Sequence, residues 1–263
     1  MIARGSNGES MSKDECILAR IDVVAFTKLS KTDLETDVFD VIREITQDLN
    51  EEIRRSIISR KNKEESNLEC ARYYGDTIDI YFRTGDLDAL ILILLEVIVK
   101  AQRMALNKGF LVKGAIVKGD LHETKDGFTG PAMVTASELE KECPYSCVTI
   151  AKDVMEILDD VAIKQFRTKS DFSDFRKKMI TCDLATNKHY LNYLEACPIS
   201  SPDYVPELKI NKESLVKTIE RYVRILSHDP NKCEEHLTMY EHALETTIEC
   251  VIYTMSRKKE SYL

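Results

Sequence analysis

Two short segments carry carboxylates where phosphoryl chemistry could use them. Asp22 sits inside the apolar run 17–26 (ILARIDVVAF). A carboxylate in an apolar strand is costly unless it is paired or binds a cation. Asp76 follows Gly75 between two β-rich halves, LECARYY and TIDIYF, and Gly-Asp between such runs marks a hairpin turn. Alone, each has an ordinary reading, as a satisfied strand-end aspartate or a common turn residue. On adjacent strands, however, they could meet at one pair of metal ions. Such a pair serves phosphoryl transfer by charging the attacking oxygen and neutralising the leaving one. The residues after Asp22 (Val23, Ala25, Phe26, Thr27) lead toward a helix N-terminus, whose free amides favour phosphate.

The elements that must position these groups follow from periodicity. Residues 17–26 predict a buried strand. Leu34, Val38, Val41, Ile45, Leu49, Ile53 and Ile57 recur at three- and four-residue steps, predicting a long amphipathic helix after a cap at Ser30 or Thr32. The hairpin over 68–82 follows, then an apolar helix over 86–107 closed by Asn107-Lys108-Gly109. Residues 111–118 predict a strand and 119–129 a polar excursion. Pro131 opens a helix that runs to about Glu142. A strand over 147–150, a short helix to Leu158 and weakly β-like sequence over 163–194 come next. Two helical patterns, 212–227 and 232–256, flank the Asp229-Pro230 break. The order β-α-β-β-α-β fits an α+β fold, an α/β sandwich with a ferredoxin-like core and helices on one face of an antiparallel sheet. The expected organisation is a disordered tail over 1–14, a catalytic domain over 15–198 and a helical C-terminal extension over 199–263.

Composition limits the function classes. The net charge of -8 argues against a general nucleic-acid binder but not against a nucleotide enzyme, which needs only local cations. The longest apolar run, 89–95, is broken by Glu96 and is too short for a bilayer. No membrane partner and no secretion signal are expected, which implies a cytoplasmic location with reduced cysteines. Cys143 and Cys147 approach zinc-ligand spacing but lack a second ligand pair.

Four stretches in order resemble the class III nucleotidyl cyclases. They are Asp22-Val23-Val24-Ala25-Phe26-Thr27, Gly75-Asp76, the strand Lys113-Gly114-Ala115-Ile116-Val117-Lys118-Gly119, and Asp126-Gly127-Phe128-Thr129-Gly130 leading to Ala136-Ser137-Glu138-Leu139-Glu140. The resemblance implies two divalent cations per active site, Mn2+ or Mg2+, held by Asp22 and Asp76 with the carbonyl of Val23. It implies phosphate contacts from the amides of Ala25, Phe26 and Thr27, and base selection at Arg72. It also implies a homodimer with shared sites, Arg72 of each chain serving its partner's metal site.

Departures from the family are specific. Val134 stands at the ribose-contacting Asn position, Glu138 at the transition-state Arg position and Gly127 at the second base-selecting position. Lys118, Lys141 and Arg43 are the candidate substitutes for the missing cation. Residues 136–141, Pro144 and DLATNKHYLNYL over 183–194 are similar to the bacterial Pycsar antiphage cyclases. That likeness implies a cyclic pyrimidine monophosphate, made with manganese and read by a separate effector. Arg72 is a donor with no acceptor capacity. It suits the two carbonyls of uracil, so UTP is expected before CTP, unless Arg72 merely pairs with Glu69. The competing readings are a degenerate cyclase-like dimerisation or nucleotide-sensing module, and a diguanylate-cyclase-like or polymerase-palm enzyme whose Gly-Gly-Asp-Glu hairpin is absent here.

Overall fold

The computed structural model describes residues 14–24, 26, 35–61, 70–83, 87–124, 127–142, 147–165, 173, 175, 176, 179–183, 187–191, 193, 217 and 218. The proposed tail over 1–13 and the helical patterns over 212–227 and 232–256 lie outside them, apart from 217 and 218. In chain order the elements are β1 (Asp14–Val23), α1 (Glu35–Lys61), β2 (Ala71–Tyr74), β3 (Thr77–Arg83), α2 (Leu87–Asn107) and β4 (Val112–Thr124). They continue with β5 (Gly127–Thr129), α3 (Pro131–Lys141), β6 (Val148–Ile150), α4 (Lys152–Gln165), β7 (Ile180–Asp183) and β8 (Lys188–Leu191).

The sheet runs β2-β3-β1-β4-β6-β8-β7, with β5 paired to β4 alone. Its first four strands, 2-3-1-4, are those of a ferredoxin-like βαββαβ unit, with β1 antiparallel to both β3 and β4. The α+β expectation therefore holds. Period-two alternation sorts each central strand onto two faces. Ile17, Ala19, Ile21 and Val23 of β1 join Ile78, Ile80 and Phe82 of β3 beneath α1, α2 and α4. Leu18 of β1 and Ala115 and Val117 of β4 face Ala132 and Ala136 of α3.

Several expectations are corrected. β1 begins at Asp14, paired to Leu121, inside the span read as tail. Within the polar excursion over 119–129, residues 119–124 and 127–129 are instead strand, because β4 runs on to Thr124 and pairs with β5. The helix after β6 extends to Gln165, beyond Leu158. Nor do all helices share a face. α3 packs on the opposite one, its small residues fitting the glycine of β4: a Cβ on Gly119 would lie 3.4 Å from Ala132. The sheet is mixed, since β6 is parallel to β4.

Gly114 shows how tightly β1 and β4 approach. A Cβ there would stand 2.1 Å from the backbone oxygen of Arg20, a distance only backbone movement could relieve. Gly114→Ala is expected to cost at least about 3 kcal/mol or to prevent folding, as read from urea unfolding. Wild-type stability in that variant would mean that β1 and β4 approach less closely than this contact requires.

Candidate active site

Alternation places Asp22 on the α3 face, among a polar set that sequence spacing alone did not gather. Cross-strand register aligns Lys113 of β4, Asp22 of β1, Thr77 of β3 and Tyr74 of β2 in one row. The next row is Ala115, Arg20, Asp79 and Arg72. Along a strand the two rows are about 7 Å apart. Gly75, at φ 62°, makes the left-handed turn between β2 and β3 that brings Asp76 to the end of β1. There the Val23 N–H donates to the Asp76 carbonyl at 3.2 Å, and the Thr77 hydroxyl donates to the Asp22 carboxylate at 2.9 Å.

The charge of Asp76 reaches Asp22. Burial pushes the Asp22 carboxyl up to about 7, with repulsion from Asp76 and Glu140 adding to it. The Thr77 hydrogen bond and the charge of Lys113 oppose this rise. Asp76 is also raised, by burial above all and then by Glu140, against a hydrogen bond from its own backbone N–H and the charges of Arg20 and Lys113. Lys113 Nζ pairs with Glu140 Oε1 at 2.9 Å, which ties α3 to the mouth of the site. Thus three carboxylates converge on too little positive charge. A cation would resolve that imbalance, and carboxylate and carbonyl oxygens suit hard divalent ions such as Mg2+ or Mn2+. Among the described residues no cluster of three or more His, Cys, Asp or Glu is arranged to hold a metal. Any ion would rest on Asp22, Asp76 and main-chain oxygen, Glu140 contributing only longer-range charge.

These shifts carry a stability consequence. A carboxyl raised in the fold binds its proton more tightly there than in the unfolded chain, so stability falls as pH rises between the two values. The metal-free protein should lose stability from about pH 4 to about pH 7. Asp22→Asn should recover about 1–2 kcal/mol at pH 8, after discounting for partial solvent screening. Melting in a chelator across pH tests this, and a flat or rising profile over that window contradicts it.

Arg72 lies on β2, whose start is clamped by Asn50 of α1. The Asn50 amide donates to the Ala71 carbonyl at 2.7 Å and accepts from the N–H groups of Cys70 at 3.1 Å and Ala71 at 2.9 Å. The Arg72 guanidinium stands 4.9 Å over the Phe128 ring, a cation–π contact. Phe26, by contrast, sets its ring edge-on to Phe39 at 5.3 Å against the three-helix core. Ala25, Thr27 and Glu69 lie outside the described residues. Val134 and Glu138 point outward from α3, Val134 being 58% exposed.

None of the three proposed substitute cations reaches Asp22's row. Arg43 pairs with Asp40 on the exposed side of α1 at 2.8 Å. Lys118 pairs with Glu15 at 2.9 Å, and Lys141 is exposed at the end of α3. Among the described strand residues, Arg20, Lys113 and Arg72 share Asp22's face, and the first two temper the charge at the aspartates. For Arg20 the signal was available, since residues two apart on one strand share a face.

No protein-family model and no curated protein matches the chain. Several solved structures overlap it in part. The adenylyl cyclase CyaB of P. aeruginosa aligns over 58% of this chain and 84% of its own, at 14% identity and TM-score 0.41. The guanylyl cyclase domain of the RhoGC fusion protein, from the aquatic fungus Blastocladiella emersonii, aligns over 68% and 95%, at 12% identity and TM-score 0.44. A bacterial light-regulated adenylyl cyclase aligns over 80% and 59%, at 14% identity and TM-score 0.40. Among the described residues no helix is long and apolar enough to cross a membrane.

Proposed function

We propose that this chain is a class III-type nucleotidyl cyclase. It converts a pyrimidine nucleoside triphosphate, UTP before CTP, to the 3′,5′-cyclic monophosphate and pyrophosphate. The observation that supports the reading is the adjacency of Asp76 to the end of β1, where the Val23 N–H beside Asp22 donates to the Asp76 carbonyl. The two aspartates stand in the stretches that resemble the cyclase motifs, which supports the same reading.

In this reaction the ribose 3′-hydroxyl gives up its proton to solvent and its oxygen bonds to the α-phosphorus, while the bond from that phosphorus to the α,β-bridging oxygen breaks and pyrophosphate leaves. Asp22 and Asp76, with the carbonyl of Val23, would hold two divalent cations, Mn2+ or Mg2+, which supply charge neutralisation at the attacking and leaving oxygens. Thr77 fixes the Asp22 carboxylate through its hydrogen bond. Lys113 tempers the surplus negative charge, and Asn50 holds the strand that carries Arg72. Arg72, a fixed donor, takes a base carbonyl. The site is completed by a second copy of the chain, Arg72 of each serving the aspartates of the other. The motif resemblance extends this to physiology: the product is a second messenger of antiphage defence, made in the cytoplasm and read by a separate effector.

A second reading, a nucleotide-sensing dimerisation module, draws on Val134 and Glu138, which leave the outward face of α3 without an amide or a cation at those positions. One experiment separates the two. The purified protein is incubated with each of the four nucleoside triphosphates and Mn2+, and the products are weighed by mass spectrometry. Cyclic UMP is expected. Release of no cyclic nucleotide from any of the four would reject the cyclase.

A further inference from the structure

One charged row on the α3 face is not accounted for by the metal site. Arg20, Asp79 and Arg72 are successive cross-strand partners on β1, β3 and β2. Asp79 is 0% exposed, and neither of its carboxylate oxygens has a hydrogen-bond partner. The Arg20 Nε stands 3.7 Å away, an ion-pair distance beyond hydrogen-bonding range. A buried carboxylate left this way is a cost to the fold. Apolar residues would fill the position more cheaply, so the group's use lies in something that binds.

Its neighbours are set for exchange. Arg20 Nη1 approaches the thioether of Met133 at 3.7 Å, and a thioether is a weak acceptor, so the arginine gives it up at little cost. Arg72 is held over Phe128, and that ring also meets Tyr81, centroid to centroid, at 4.5 Å. Donor, acceptor and donor therefore stand in line across three strands, with an aromatic ring at one end.

We infer that this row reads the edge of a uracil ring, with Asp79 as the specificity-determining acceptor between the two guanidiniums. The inference rests on the cyclase reading and deepens it. The imide edge of uracil presents carbonyl, ring N–H and carbonyl, the complement of the row at all three positions. Cytosine presents an amine, a bare ring nitrogen and a carbonyl. Its ring lone pair would face the carboxylate of Asp79, and its amine would face an arginine. Guanine matches two positions of three, and adenine offers no carbonyl. Mismatched buried polar groups are what give such sites large discrimination. Arg72 alone prefers carbonyls; Asp79 adds the demand for an N–H between them.

The test compares wild type with Asp79→Asn. Wild type should favour UTP over CTP by at least about 100-fold in kcat/KM. An asparagine can turn its amide donor toward the bare nitrogen of cytosine, so the UTP:CTP ratio should fall at least about tenfold in the variant. The ratio is measured on the molecules that are folded, so partial loss of structure does not move it. A second readout is free of catalysis: UTP should raise the melting temperature of wild type more than CTP does, and the difference should shrink in Asp79→Asn. An active wild type whose variant keeps the ratio within about threefold overturns the assignment of Asp79 and leaves the cyclase standing. A wild type inactive on all four nucleotides overturns the cyclase reading. In that case equal melting shifts with UTP and CTP overturn the row as well, whereas a larger shift with UTP upholds it.

Discussion

Asp22→Asn and Asp76→Asn are each expected to lower nucleotide turnover by at least about 10³-fold, several kcal/mol at the transition state, while leaving the fold intact. Asp22 lies at the end of β1 and is only partly buried, and an asparagine there can still accept from the Thr77 hydroxyl. Asp76 occupies a turn whose geometry is set by Gly75 and by the bond from the Val23 N–H to the Asp76 carbonyl, neither of which uses its side chain. Because both carboxyls are raised in the free protein, each amide should also stabilise the metal-free fold. Loss of activity with gain of stability is a signature that a damaged core cannot give. The measurements are product by mass and unfolding by circular dichroism. Activity within about tenfold of wild type, a barrier change of only ~1.4 kcal/mol, would sink the paired-aspartate assignment.

The parts legible in the sequence were those governed by local rules. The heptad-like spacing of α1, the buried run of α2, the Gly75-Asp76 turn and the proline opening α3 each follow from residues near one another in the chain. Their order was enough to draw the βαββαβ unit. What escaped were features decided by pairing between distant segments. β5 exists because residues 127–129 pair with 122–124 of β4, and a polar sequence carries no hydrophobic alternation to announce it. α3 crossed to the second face because Gly119 and Ala132 admit it, a fit between residues thirteen apart that no single-segment pattern records.

The site divides in the same way. Asp22 and Asp76 were marked by the cost or the geometry of their own positions. Arg20 and Asp79 could have been found by carrying the two-residue alternation outward from Asp22 and Thr77. Glu140 could not: its influence on Asp22, Asp76 and Asp79 depends on where α3 docks. Asp79 was passed over because its surroundings, Thr77-Ile78-Asp79-Ile80, read as an ordinary half-polar strand, whereas the fold buries both of its faces. The candidate cations Arg43 and Lys118 failed for the converse reason, each being paired with a nearby acid away from Asp22.

Mixing two inactive variants should restore activity if the site is shared between chains. Asp22→Asn removes a metal ligand, and Arg72→Ala removes the base contact that the same chain would offer its partner. Arg72 lies on the face that bears Asp22 and next to the hairpin that carries Asp76, so two copies meeting by that face could exchange these residues by symmetry. In a mixed dimer one site then inherits both lesions, and the other is assembled from the intact Asp22 of one chain and the intact Arg72 of its partner. With random exchange half the dimers are mixed and each carries one of two sites, so about a quarter of wild-type turnover should return. Each variant alone should remain at least about 100-fold below wild type. The measurement is UTP turnover after the variants are mixed under conditions where differently tagged subunits co-purify. Demonstrable exchange without recovered activity would mean that Asp22 and Arg72 act within one chain. The site would then be complete in a monomer, and its turnover per chain should not vary with dilution.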